Sequence, residues 1–266
     1  MYDMNLLGIA NMDLNITPGR SLNLLYIILD SIFVIFYVCF LFYKKRKDAA
    51  IIGLIFGVVY YIVDYVFFYH VSRSRVVIFN GEYASELGYA MYLLWHELSS
   101  GITNFSLLWL CISKDKDLKL WLILVIGWWL ICPAISELGG SRNIVTYRTT
   151  TAYHGPMAII LAIGYLALII YDFMVPKEKR VNILWLNLIG IGVQFAWEGA
   201  FLLYGIREWN SASIPTLLID SLIETNLGMP YLYVIYRYYL KKKEEHSKKK
   251  NKVANLQSNN DKGAVQ

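Results

Sequence analysis

Residues 22–43, LNLLYIILDSIFVIFYVCFLFY, form an apolar stretch with a single charged side chain, Asp30. At a rise of about 1.5 Å per residue, a helix of this length crosses a hydrocarbon core about 30 Å thick. Backbone amides inside lipid must be hydrogen-bonded within the segment, and the stretch is too long and too uniformly apolar for a barrel strand. The stretch therefore predicts a transmembrane helix.

The same pattern recurs along the chain. Its 266 residues are 57% hydrophobic and 17% charged, and the mean hydropathy of +0.43 is too high for a soluble domain of ordinary composition. Seven segments are long enough to span a bilayer, at roughly 22–43, 49–70, 88–112, 119–136, 153–174, 181–205 and 214–240. We therefore predict an all-α fold: a seven-helix transmembrane bundle over 22–240, preceded by an exterior segment, 1–21, and followed by a disordered basic tail, 241–266.

Lysine and arginine mark the side of the membrane on which each loop lies. They concentrate at 44–48, 113–119, 176–180 and beyond residue 241. The positive-inside rule places these segments in the cytoplasm, and places the N-terminus and the loops near 71–87, 137–152 and 206–213 outside. The net charge of +5 then reflects topology and attraction to anionic membrane lipids, and no nucleic-acid partner is expected. We expect a multi-pass protein of the cell membrane in a bacterium, or of the endoplasmic reticulum in a eukaryote.

The cysteines do not indicate a disulfide framework or a thiolate metal site. Cys39, Cys111 and Cys132 all fall inside predicted spans and have no CxxC spacing. We expect them to pack as small core residues.

Ionisable side chains inside the spans lie at one depth, toward the predicted outer side. The set is Asp30, Asp64, His96, Glu97, Glu137, His154, Glu198, Asp220 and Glu224. A charge at the bilayer centre costs about 2.5–3.5 kcal/mol on insertion scales, so such residues normally face the bundle interior and mark function. Acids from several helices at similar depth predict a shared polar cavity that opens outward. Glu137, His154 and Asp220 lie close enough to span ends to reach the headgroups instead.

Aromatic residues surround the same depth. Acids beside aromatic rings, shielded from water, can protonate an apolar substrate and shelter the carbocation that follows. The catalytic candidates are Asp64, Glu224, Glu198, Glu97 and His96. The candidate substrate-binding residues are Tyr61, Phe68, Trp95, Asn104, Trp197, Asn226 and Tyr231.

Three classes of function fit this pattern. The first is a membrane-embedded enzyme whose carboxylic acid protonates a hydrophobic or lipidic substrate. The second is a metal-dependent enzyme with ligands among His96, His154, Glu97 and Glu198, although the sequence has no HExxH. The third is a receptor or transporter that only binds. A retinal photoreceptor is disfavoured, because the last span has no lysine before Lys241 to form a Schiff base.

Two segments carry a family resemblance. ETNLGMPYLYVIYR, at 224–237, resembles the last helix of the small seven-span membrane terpene cyclases of fungal meroterpenoid and indole-diterpene pathways, with Glu224, Gly228, spaced tyrosines and Arg237 in the matching places. VVYYIVDYVFFYH, at 58–70, places Asp64 where that family has its second-span acid.

The resemblance implies a cyclisation without metal or cofactor. In that reaction one acid protonates a terminal epoxide or alkene of an isoprenoid, and aromatic faces stabilise the resulting cations. Glu224 and Asp64 would be the proton donor and its partner, because two nearby acids share a proton. Glu198, Glu97 and His96 would relay a proton or quench the final cation.

Overall fold

Helices dominate the fold. A computed structural model describes residues 19–148 and 153–263, without the side chains of residues 179 and 251–263. Most of the predicted exterior segment, residues 1–18, therefore lies outside the described part of the chain. The helices are α1 (Leu24–Tyr43), α2 (Lys47–Ile62, continued by a π-helical segment, Val63–Val71), α3 (Glu86–Ile112), α4 (Leu118–Ser136), α5 (His154–Met174), α6 (Ile183–Leu203), α7 (Ser213–Leu227) and α8 (Met229–Gly263).

Five of these helices are long and apolar enough to cross a membrane. They are Leu24–Tyr43, Lys47–Val71, Leu118–Gly139, His154–Met174 and Ile183–Leu203. Their outward faces are strongly apolar, with Ile35 66% exposed and Ile123 73% exposed. Exposed apolar faces of this kind are suited to contact with lipid, and a protein that carried them in water would aggregate. The fold is thus compatible with a membrane-embedded protein.

A small β-sheet closes one end of the helical bundle, so the prediction of an all-α fold is wrong in this respect. The strands, in the described part of the chain, are β1 (Arg20–Leu22), β2 (Arg75–Phe79), β3 (Glu82–Tyr83) and β4 (Ile144–Arg148). They pair antiparallel in the order β1-β4-β2-β3. The N-terminal segment and two of the loops predicted to lie outside thus join into one layer, and we call this end of the bundle the sheet end.

The turn between β2 and β3 explains why this loop forms a hairpin. Asn80 and Gly81 both have positive φ, at 51° and 84°. Two consecutive residues with positive φ match the twist of antiparallel strands, and Asn-Gly is the commonest pair to adopt this turn. Val76 and Val77 before the turn are buried, which fixes the hairpin against the bundle.

Helix α3 is the centre of the bundle. Phe105, Leu107 and Leu108 in its second half are each 1% exposed or less. It packs closely against α2, where a Cβ built at Gly101 would lie 2.2 Å from the Cα of Gly57. Small residues that let two backbones touch are typical of helix pairs in membranes.

The last predicted span is not one continuous helix. It divides at Gly228 into α7 and α8, just before Pro230, whose ring lacks the amide hydrogen that an uninterrupted helix needs. Helix α8 then continues to Gly263, through residues from 241 onward that were predicted to be disordered. Lysine and glutamate are good helix formers, and a helix that is already nucleated extends through them at little cost.

Candidate functional site

Buried acids of the helices meet arginines of the sheet end. Among the described residues, these arginines are Arg20 in β1, Arg75 in β2, Arg148 in β4 and Arg207 after α6. Strand pairing places Arg75 directly opposite Arg148. An isolated antiparallel β-bridge of the backbone pairs Arg20 with Arg207. Like charges so close repel each other, so the arrangement needs carboxylates between them.

Asp64 lies between two of these arginines. Arg75 Nη2 is 3.3 Å from Asp64 Oδ1, and Arg148 Nη2 is 3.2 Å from Asp64 Oδ2. The Arg75 guanidinium also stacks over the ring of Phe68 at 4.2 Å. Asp64 itself belongs to the π-helical segment that extends α2, a type of distortion that is frequent at functional sites.

Glu198 is held by the other two arginines. Arg20 Nη2 approaches Glu198 Oε1 at 2.5 Å, and Arg207 donates to both carboxylate oxygens at 2.5 and 2.8 Å. Glu198 is 1% exposed and Arg20 is 4% exposed. The Arg20 guanidinium also lies 4.9 Å from the centre of the Trp197 ring. Arginine suits such a site because its planar fork binds carboxylate with two hydrogen bonds and tolerates burial better than lysine.

His96 links Arg20 to Glu97. Arg20 Nη1 is 2.8 Å from His96 Nε2, and His96 Nδ1 is 2.8 Å from Glu97 Oε1. Because a guanidinium can only donate, Nε2 accepts and the imidazole proton belongs on Nδ1, facing Glu97. His96 is therefore a neutral connector in this network.

All four arginines lie outside the helices, and nearby carboxylates raise the pKa values of two of them, Arg148 and Arg207. Burial works against the charge on Arg148, but the carboxylates of Asp64 and Glu97 outweigh burial and raise the pKa of this guanidinium above its usual value. For Arg207, burial is likewise outweighed by Glu198, which raises the Arg207 pKa. Both side chains are fixed positive charges at the sheet end.

His154, Asp220 and Glu224 form a second part of the site. His154 Nε2 is 3.6 Å from Asp220 Oδ1 and 3.9 Å from Glu224 Oε1, and one ligand atom from each of the three residues lies within 4.8 Å of the others. Asp220 also lies 3.7 Å from Arg207, which joins this trio to Glu198. We call His154, Asp220 and Glu224 the acid trio.

The charges of the network do not balance. Among the described residues, the network contains four arginines and five carboxylates, those of Asp64, Glu97, Glu198, Asp220 and Glu224. Counted with neutral histidines, these groups sum to one negative charge, and a proton on His154, which lies between Asp220 and Glu224, brings the sum to zero. An uncompensated charge in so buried a network would lower the stability of the fold, because burial removes the charge from water. The acid trio can supply the missing positive charge by holding a proton or a metal cation.

A small cavity lies between the two parts of the network. Its volume is about 50 Å³, and Glu97, Arg148 and Glu224 line it together with Tyr60 and Asn104. The Oδ1 atom of Asn104 is buried and has no hydrogen-bond partner among the described residues. A hydrogen-bond donor the size of a water molecule fits in this cavity beside Asn104 Oδ1, because one water needs only about 10–15 Å³.

The sequence-predicted catalytic residues all lie in this network. Asp64 and Glu224 do not touch each other directly in the described contacts, but both lie around Arg148, which contacts Asp64 and lines the cavity with Glu224. Asp30 lies apart, accepting hydrogen bonds from Ser99 at 2.5 Å and from Trp128 at 3.2 Å.

The predicted substrate-binding residues divide into two groups. Asn104 and Trp197 line the small cavity, Trp95 lines a neighbouring one of about 20 Å³, and Phe68 lies under Arg75. The other three lie elsewhere: Tyr61 stacks on Tyr65, Asn226 bonds Tyr165 and Asn187 between helices, and the Tyr231 hydroxyl donates to Ile160 O.

The predicted metal ligands do not assemble as proposed. His96, Glu97 and Glu198 are engaged by arginines or by each other, whereas His154 lies with Asp220 and Glu224. If the site holds a metal, the acid trio would be its ligands, and not the combination that the sequence suggested.

The arginines were missed, although the sequence carries a signal for them. The segments placed outside contain six arginines, Arg20, Arg73, Arg75, Arg142, Arg148 and Arg207, and no lysine at all, whereas the basic loops placed inside are rich in lysine. A segregation of arginine from lysine indicates that these cations are needed for ion pairs and not merely for charge. The unmatched acids in the spans indicate their partners.

No protein-family model, no curated protein and no solved structure matches this chain.

Proposed function

We propose that this chain is a membrane-embedded enzyme in which Glu224 delivers a proton to a hydrophobic substrate, in an acid-initiated cyclisation of an isoprenoid. The excess negative charge of the network carries this proposal, because it requires a positive charge at the acid trio and an exchangeable proton provides one. Glu224 is the member that also lines the cavity. Its side chain is 24% exposed, so a substrate can reach it.

Asp64 and Glu198 suit a different role. Each contacts two guanidinium groups. A carboxylate held in this way serves as a counter-ion that fixes the arginines, and removing it would leave buried positive charge. In the proposed reaction these two acids position the site, and the proton comes from the trio.

The reaction balances without an oxidant or reductant. The Glu224 proton adds to an epoxide oxygen or an alkene carbon of the substrate, and an alkene electron pair forms the new carbon–carbon bond as the carbon–oxygen bond or the double bond breaks. The final carbocation loses a proton, which restores the acid. Glu97 and the Tyr60 ring line the cavity and supply negative charge and a π face near the cation. The cavity of about 50 Å³ has to widen before an isoprenoid enters.

We also propose that the chain crosses the membrane seven times. Strands β1, β2 and β4 share one sheet, so the ends of α1, α2 and α4 that adjoin them lie together, and α3 must cross to connect α2 with α4. The backbone β-bridge between Arg20 and Arg207 supports a start of α7 at the sheet end, because Arg207 lies just before this helix. Tyr239 of α8 hydrogen-bonds Asp48 at the start of α2, which supports a crossing by α7 and α8 together.

The test of the acid is the variant Glu224→Gln. We expect turnover of epoxidised or prenylated isoprenoids to fall by at least about 100-fold, because the amide keeps the shape but cannot act as a general acid. Glu208→Gln, an exposed acid at the same end, is the matched control and should keep full activity. Product formation by the purified full chain in lipid nanodiscs is the measurement, and retained activity in Glu224→Gln would remove Glu224 from the mechanism.

A second candidate is a metal-dependent enzyme, favoured by the close approach of a histidine and two carboxylates in the acid trio. Such a donor set suits zinc or another divalent ion. Charge favours the proton, since a divalent cation would turn an excess of one negative charge into an excess of one positive charge. Metal analysis of the purified chain decides: a stoichiometric metal that is lost in His154→Ala supports this candidate.

A further inference from the structure

A groove between α5 and α8 combines apolar walls with a basic end. It has a volume of about 260 Å³, and Gly164, Leu168, Tyr171, Pro230, Val234 and Arg237 are among its lining residues. The two helices touch at its closed end, where a Cβ at Gly164 would lie 2.8 Å from Pro230 Cγ. His154, Asp220 and Glu224 are not among the residues that line the groove, and the groove plays no part in the proposed chemistry.

The geometry of the groove follows from this contact. Gly164 and Tyr171 on α5, like Pro230 and Arg237 on α8, are seven residues apart, which is about 10 Å along a helix. The helices therefore run in the same direction and touch at the end near Gly164, and Tyr171 and Arg237 lie at the other end, which we call the open end. Leu168, 4% exposed, forms the floor, and Tyr171 and Val234 are exposed at the sides.

Positive charge concentrates at the open end. Arg237 is partly exposed there, and its guanidinium hydrogen-bonds the Tyr233 side chain. Lys241 follows one turn later on the same face of α8 and is fully on the surface. The nearby Asp172 carboxylate accepts the amide of Val181 through Oδ1 at 2.8 Å. The mouth therefore holds two cations and one anion, and its net charge is positive.

We propose that this groove is a binding site for an anionic phospholipid. An acyl chain would lie against Leu168 and Val234, and the phosphate would contact Arg237 and Lys241. Basic pockets between helices at a membrane surface bind anionic headgroups, and each lysine or arginine contributes roughly a fivefold preference near the surface. The charge complementarity of the mouth favours an anionic lipid over a zwitterionic one.

The test compares two lipids on the purified full chain. Phosphatidylglycerol and phosphatidylcholine with the same acyl chains are titrated into the detergent-solubilised protein, and bound lipid is counted by native mass spectrometry. We expect phosphatidylglycerol to bind more tightly, and Arg237→Gln to reduce its preference over phosphatidylcholine by about fivefold. Lys241→Gln, at an exposed position, should reduce the preference in the same direction.

A matched pair on α5 tests the groove itself. Ala167 lines the groove, whereas Ala162 is an exposed alanine of the same helix outside it. Ala167→Phe should abolish binding of both lipids, and Ala162→Phe should leave both unchanged. Equal affinity for the two lipids, an unchanged preference in both cation variants, or competition by free glycerol phosphate would each overturn the proposal.

Discussion

At the scale of single residues, the choice of arginine in the sheet-end segments decides how the acids can be buried. Arg207 contacts Glu198 through two nitrogens and reaches Asp220 as well. Lysine offers a compact charge on a flexible stem and cannot reproduce this fork. We infer that the arginines are part of the fold as much as of the site.

Glu198→Gln tests the strength of this pairing. The change leaves the buried guanidinium of Arg20 without its counter-ion, so we expect a loss of about 3–5 kcal/mol in the free energy of unfolding. The double variant Glu198→Gln with Arg20→Met should be less destabilised than the single variant, because no buried charge remains unmatched at β1. Reversible denaturation in mixed micelles measures both.

The control for this pair is Glu178→Gln, an exposed acid in the loop before α6. It should change stability by no more than about 0.5 kcal/mol. If Glu198→Gln behaves like this control, the buried ion pair contributes little and the network is not what holds the sheet on the bundle.

At the scale of elements, the closest helix pair depends on two glycines. A side chain at Gly101 would meet the backbone of Gly57 at 2.2 Å, so Gly101→Ala must push α2 away from α3. We expect a loss of about 1–3 kcal/mol, typical of overpacking. Since α2 carries Asp64 and α3 carries Glu97, turnover should fall as well.

Gly127→Ala is the matched control for Gly101→Ala. A Cβ at Gly127, in the middle of α4, would meet no atom within 4 Å. Alanine is the better helix former, so this variant should be neutral or gain up to about 1 kcal/mol. Equal effects of the two substitutions in a thermal unfolding assay would show that the α2–α3 contact is not sensitive to spacing.

The helices could be predicted from the sequence and the sheet was not. The predicted limits of the first six spans agree with α1–α6 within two residues, because apolar length alone sets where a helix can cross lipid. The strands are short and lie in polar loops, where only the Asn80–Gly81 pair indicated a hairpin. The helix breaks at Gly228, just before Pro230, whose ring lacks the amide hydrogen of a continuous helix.

At the scale of the whole molecule, half of the candidate site was accessible to sequence reasoning. Depth within the spans selected Asp64, Glu97, Glu198 and Glu224, all of which lie in the network. Their partners lie far away in the sequence: Arg20 and Glu198 are 178 residues apart. Periodicity describes only local structure, so it cannot show which loop folds back onto which helix.

The sheet also makes the topology testable. If the chain crosses seven times with its N-terminus outside, the β2–β3 turn and the end of α8 lie on opposite sides of the membrane. We expect a membrane-impermeant maleimide to label Glu82→Cys, beside this turn, in intact cells, and to label Ser247→Cys only after permeabilisation, in a background where Cys39, Cys111 and Cys132 are replaced. Both positions are exposed.

We expect this orientation because buried acids neutralise the charges of Arg20, Arg75, Arg148 and Arg207. The lysine-rich loops then carry the positive charge that stays on the cytoplasmic side. Labelling of both positions from the same side would contradict an odd number of crossings.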